Sequence, residues 1–237
     1  MLLIQEKLFS LTLPLPEEAF FSVPSPAPLF ITIVLSLTLI VTALLMALHP
    51  QRFMLMVTSV FVKKHFSQLL RNNDSIYKRF YLFLIMIACA IEALACYFII
   101  NYFQISVFTD YIPEIKFGIV LGAFILYYII CFSAITFVNW LFDYQEVNKV
   151  HISNSIIHHF AASVFLFPFL SLTCYNAKIN LSILILIIWA FFYILLIYKQ
   201  LILYVKNVGL FHFFIYFCTT EILPVLIIGK LYLVLGK

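Results

Sequence analysis

From Leu29 to Leu48 the chain runs for twenty residues without a charged side chain. At 1.5 Å rise per residue, such a run matches a hydrocarbon core of about 30 Å. Long apolar stretches recur along the remainder of the 237 residues. They are continuous rather than alternating. Backbone groups in lipid need partners within their own segment or within a closed barrel, so this pattern predicts α-helices. The whole composition agrees: 65% of residues are apolar and 10% charged. A soluble domain carries about 25% charged residues. Too few charges exist to coat a water-facing surface, whereas lipid needs none.

The expected architecture is an all-α polytopic transmembrane bundle of six spans. These lie at about 29–48, 80–101, 117–142, 152–175, 181–198 and 210–229. The fourth begins with polar residues and is interrupted by Pro168. Residues 1–28 hold Pro14, Pro16, Pro24, Pro26 and Pro28, more than half of the nine prolines, and read as an irregular tail. No basic region followed by an apolar core and cleavage site opens the chain. The stretch 53–62 is too short to span. With Arg52 before it and Lys63, Lys64 and Arg71 after it, residues 51–71 read as one amphipathic interfacial helix whose basic groups reach lipid phosphates.

The 14 Lys and Arg residues set the orientation. Six spans put Arg52, Lys63, Lys64, Arg71, Lys78, Arg79, Lys149, Lys199 and Lys206 on one side, and Lys7, Lys116, Lys178, Lys230 and Lys237 on the other. The richer side is expected to be cytoplasmic, with both termini facing out. These basic residues are too sparse for nucleic acid. The five cysteines form no CxxC pair and read as small buried hydrophobes.

A few polar residues inside the spans are candidates for chemistry. Glu92 sits mid-span with no basic partner in its own helix, and Cys89 and Cys96 share its face. A carboxylate in lipid costs at least about 2.5–3.5 kcal/mol, so it faces a bundle interior or a cavity. It is either a proton or ion site or a helix–helix lock. Glu221 lies in CTTEILP, where Pro224 frees the carbonyl of Thr220, and Thr219, Thr220 and Glu221 can surround that kink. Such a kink builds either a midplane site or a subunit contact. His151, His158 and His159 cluster at the start of the fourth span. Their spacing matches no metal motif, and interfacial or helix contacts explain them better than a metal. Gly118 and Gly122, four apart, allow close helix approach, within the chain or between two copies. Asn139-Trp140 reads as an interfacial anchor, and His212 and Lys230 as interfacial groups. Phosphate loop, nucleophile elbow and zinc-protease motif are all lacking, and no cofactor is expected.

FHFFIYFCTTEILPVLIIGKLYL (211–233), KKHFSQLLR (63–71) and NWLFD (139–143), in their order along the chain, resemble an uncharacterised family of small inner-membrane proteins of Gram-negative bacteria, a domain of unknown function. The resemblance runs from about Pro28 onward, with CTTEILP its most specific part and a shorter Pro-rich tail its main departure. It implies a bacterial inner-membrane helical protein and no activity; Glu221 and Pro224 belong to the motif without a role. The leading expectation is a non-enzymatic subunit or accessory factor of a membrane complex, with the bilayer and other membrane subunits as partners. The alternative is a small proton- or ion-coupled transporter using Glu92 and Glu221. An intramembrane enzyme, or a lipid- or haem-handling protein using the histidines, ranks last.

Overall fold

The computed structural model describes residues 29–71, 75–103, 111–175, 181–222 and 230; for 70, 71, 75–80, 212, 216, 220 and 221 it describes the backbone alone. The described chain is helical: α1 (Leu29–Leu48), α2 (Pro50–Ser59), α3 (Lys63–Arg71), α4 (Ser75–Tyr102), α5 (Pro113–Leu141), α6 (Gln145–Tyr175), α7 (Ser182–Asn207) and α8 (Leu210–Phe217). A π-helical turn, Cys218–Ile222, follows α8. Five of these helices are long and apolar enough to cross a membrane: α1, α4 from Tyr81 onward, α5, α6 and α7. The sixth expected span, 210–229, is described only through α8 and the π turn; its remainder, with Pro224, lies outside the described residues.

Several expected boundaries move. Helix α5 starts at Pro113 rather than 117, because proline at a first helical position has its φ already set and has no N–H to satisfy. Helix α6 starts at Gln145 rather than 152 and stays helical through Pro168, which therefore does not interrupt it. Its 31 residues extend to about 46 Å, longer than a hydrocarbon core, so the polar first turns need no lipid contact. Helix α7 continues to Asn207, past the expected end at 198, and so carries Lys199 and Gln200 inside the helix rather than in a loop.

The single interfacial helix expected at 51–71 is instead two helices broken at Val60–Val62. Helix α2 packs one face on the bundle: Phe53 and Met56, and Val60 just beyond its end, are buried at i, i+3 and i+7, while Gln51 and Met54 are exposed. Phe53 meets Phe160 of α6 edge-on at 5.5 Å, and Phe61 meets Phe165 and Phe192 at 6.1 and 6.2 Å. Lys199 of α7 donates to the Ser59 carbonyl at 3.0 Å, taking one of the acceptors left open where α2 ends. An apolar stripe of this width suits lipid and a neighbouring helix equally well, and here neighbouring helices occupy it. Of the four basic residues expected to meet lipid phosphates, Lys63 and Lys64 are exposed and Arg52 is half-buried, while the Arg71 side chain lies outside the described set.

The core runs between α4, α6 and α7. Ala88, Ala93 and Ala95 on α4 and Ala161 and Ala162 on α6 are buried. Small side chains let these backbones approach closely, the usual route to tight helix packing in lipid. Ser163 reaches the Ala88 carbonyl across this seam at 3.5 Å while also donating to its own helix at His159. Thr38, Thr42 and Ser59 likewise satisfy their hydroxyls on carbonyls three or four residues back. Two sharp turns complete the bundle. Asp143, with φ 59°, turns α5 into α6, and the Tyr144 N–H donates to the Asn139 carbonyl at 2.8 Å. Gly209, with φ 114°, joins α7 to α8 in a conformation that suits only glycine.

Candidate functional site

Glu92 is 1% exposed, and the bundle closes around it from three sides. Tyr128 of α5 donates its hydroxyl to Oε2 at 2.7 Å. His159 of α6 places Nδ1 2.8 Å from Oε1, where the imidazole must donate because a carboxylate only accepts. The Tyr128 and His159 rings stand edge to face at 5.0 Å. One carboxyl group thus ties α4, α5 and α6 together. Both oxygens are engaged, which is the condition for a buried charge to be tolerated.

His158 follows His159 but turns elsewhere. Its Nδ1 lies 2.8 Å from the Asn154 carbonyl, which can only accept, so Nδ1 bears the hydrogen. Nε2 is then the acceptor. It is buried and has no hydrogen-bond partner. His158 borders a small, partly open cavity of about 10 Å³, lined also by Glu92, His159, Trp189 and Tyr193.

A second buried polar knot sits one helix-end away. Asn139 of α5 donates to its own helix at Ile135 (2.9 Å) and lies 3.3 Å from both Asn148 Oδ1 and the Tyr204 hydroxyl. His151 of α6 approaches that same hydroxyl at 3.0 Å. Asn139, His151 and Tyr204 are each 1% exposed or less. Asn139 is therefore a core residue rather than the interfacial anchor expected beside Trp140, which alone is exposed. The reason is rotational: neighbouring helix positions point about 100° apart, so one faces the bundle and the next faces outward. Tyr204→Phe should cost about 1 kcal/mol, the ordinary net worth of a buried hydrogen bond. Chemical unfolding in mild detergent measures it, and an unchanged midpoint would show the knot to be slack.

The three candidate histidines therefore serve different ends. His159 pairs with Glu92, His158 faces the cavity and His151 joins the knot around Tyr204. Among the described residues, no three His, Cys, Asp or Glu side chains converge as a metal would need. Thr219 donates to Ile215 at 2.9 Å inside the last turn, where the helix widens from α to π geometry at Cys218–Ile222. The side chains of Thr220 and Glu221, and Pro224 altogether, lie outside the described residues. Gly118 and Gly122 are exposed, and a Cβ on either would meet nothing within 4 Å. Among the described residues, no helix packs closely against either glycine.

Sequence reasoning passed over Tyr128 and Tyr204. Tyr128 had a readable signal, since it stands in the middle of a span, away from the headgroup belts where tyrosine usually collects; Tyr204, beyond the expected end of its span, had none. A mid-span phenol must find an acceptor, and Glu92 is one.

No curated protein and no solved structure matches the chain. A family model does, over residues 31–232, and its description is Domain of unknown function (DUF4271). That match takes in the described helices almost whole, both polar knots and the CTTEILP segment. The chain, built of helices long and apolar enough to cross a bilayer, belongs to this family of unknown function.

Proposed function

We propose that the chain is a non-enzymatic subunit of a membrane complex in the bacterial inner membrane, docking through the outward face of α5. The observation that carries this is the pair Gly118 and Gly122. They are exposed on a helix long enough to span, with open space where a Cβ would stand. Lipid has no use for a missing side chain, whereas a partner helix gains a close backbone approach. Farther along the same helix Ser133, Thr136, Phe137 and Trp140 border an open surface groove of about 530 Å³. Hydroxyls there give an incoming helix hydrogen-bond partners. The occupant is a transmembrane helix of a different subunit.

The transporter alternative gains nothing from Glu92. The space beside it is about 10 Å³, room for a water and not for a solute.

Replacing Gly122 with leucine tests the reading. Leucine favours an exposed helix interior over glycine by about 1 kcal/mol, so the isolated protein should unfold no earlier than wild type. Gentle purification of the tagged protein should yield a stoichiometric membrane partner that Gly122→Leu removes. A lone monomer, a homodimer or an undisturbed complex would each overturn the proposal.

A further inference from the structure

The cavity between α4, α6 and α7 is bordered by His158, whose buried Nε2 is left without a hydrogen-bond partner by the packing of the described residues. His158 is 2% exposed. With Nδ1 committed to the Asn154 carbonyl, its Nε2 lone pair faces a space of about 10 Å³. A single water needs about that much room and two to four polar partners. Glu92 supplies a second partner across the same space, since each carboxylate oxygen already accepting one hydrogen bond can accept another. His159 and Tyr193 complete the polar rim. Trp189, Phe192, Ala162 and Leu196 line the remainder.

We infer that this cavity is a binding site for one water molecule, which links His158 to the Glu92–His159 pair and joins Tyr128, Glu92, His159 and His158 into a single hydrogen-bonded chain across α4, α5 and α6. The water donates one hydrogen to His158 Nε2 and the other to the Glu92 carboxylate. The other ionisable side chains lining this space are His159 on α6 and Tyr193 on α7. Beyond it, Tyr128 and Cys89 act on Glu92, and Lys199, bonded to the Ser59 carbonyl, acts electrostatically on His158.

The test is infrared difference spectroscopy of the whole protein in lipid nanodiscs, exchanged between ordinary water and water enriched in oxygen-18. Wild type should show a narrow O–H stretching band that moves down in the heavy-oxygen sample. His158→Phe should lose this band and shift the Glu92 carboxyl band, which Glu92→Gln identifies. Ala162→Val fills the cavity without touching any polar group, and it should remove the water band as well, so the result does not depend on His158→Phe folding. Absence of the band in wild type overturns the proposal. So does its persistence in a folded His158→Phe or Ala162→Val protein, or a Glu92 band unmoved by His158→Phe.

Discussion

Glu92→Ala is expected to destabilise the bundle by about 3–5 kcal/mol, the range for removing one member of a buried pair. The loss has two parts. Tyr128 and His159 are left in the interior without their acceptor, and a void opens where α4, α5 and α6 meet. Glu92→Gln keeps the shape and one acceptor oxygen, so its loss should be smaller. The buried thiol of Cys89, one turn away on the same helix, provides the readout, because a thiol-reactive dye reaches it only after unfolding. His159→Phe should cost a comparable amount. The double variant should cost little more than either single one, since the interaction can be removed only once. Simple additivity of the two would show that Glu92 and His159 act independently, and the three-helix clamp would be wrong.

The second large effect is expected at Phe160, which is fully buried and faces Phe53. Truncating a buried phenylalanine to alanine costs about 3–5 kcal/mol. Here the loss should concentrate on α2, because Phe160 is one wall of the slot that α2 enters. Ser59, 0% exposed, reports on it. In a Ser59→Cys background the thiol should be inert toward a water-soluble maleimide, and Phe160→Ala should make it reactive while α4–α7 remain folded. A thiol that reacts equally in both backgrounds would mean that Phe160 does not hold α2 against the bundle.

These two positions also mark how far the sequence could be read. The helical membrane class was plain from the charge-free runs, because hydropathy reports directly on the solvent a segment needs. Glu92 was legible for the same reason, as a residue too costly to leave in lipid. What hydropathy could not show was which groups meet it. The Glu92–His159 contact joins residues 67 apart and Glu92–Tyr128 joins residues 36 apart, and no local pattern encodes a pairing between helices. The slot taken by α2 was hidden by an ambiguity of kind. Its stripe of Phe53, Met56 and Val60 is what either a lipid surface or a helix interface selects. Helix ends moved for a simpler reason. Gln145, Glu146 and Lys149 are good helix formers but poor lipid residues, so hydropathy stops before the helix does.

The bond from Lys199 to the Ser59 carbonyl spans 140 residues of chain. A ribosome adding about 5–20 residues per second takes roughly 7–28 s to travel that distance. Throughout that interval α2 has been synthesised but Phe160, Phe192 and Lys199, which will hold it, have not all emerged. Its apolar stripe must wait against lipid or the insertion machinery until α6 and α7 arrive. The segment therefore lives two lives: first as a helix parked at the membrane, then as a wedge drawn into the finished bundle. Any slowing of synthesis between residues 60 and 199 lengthens the first of them and exposes the chain for longer to misassembly and to membrane proteases.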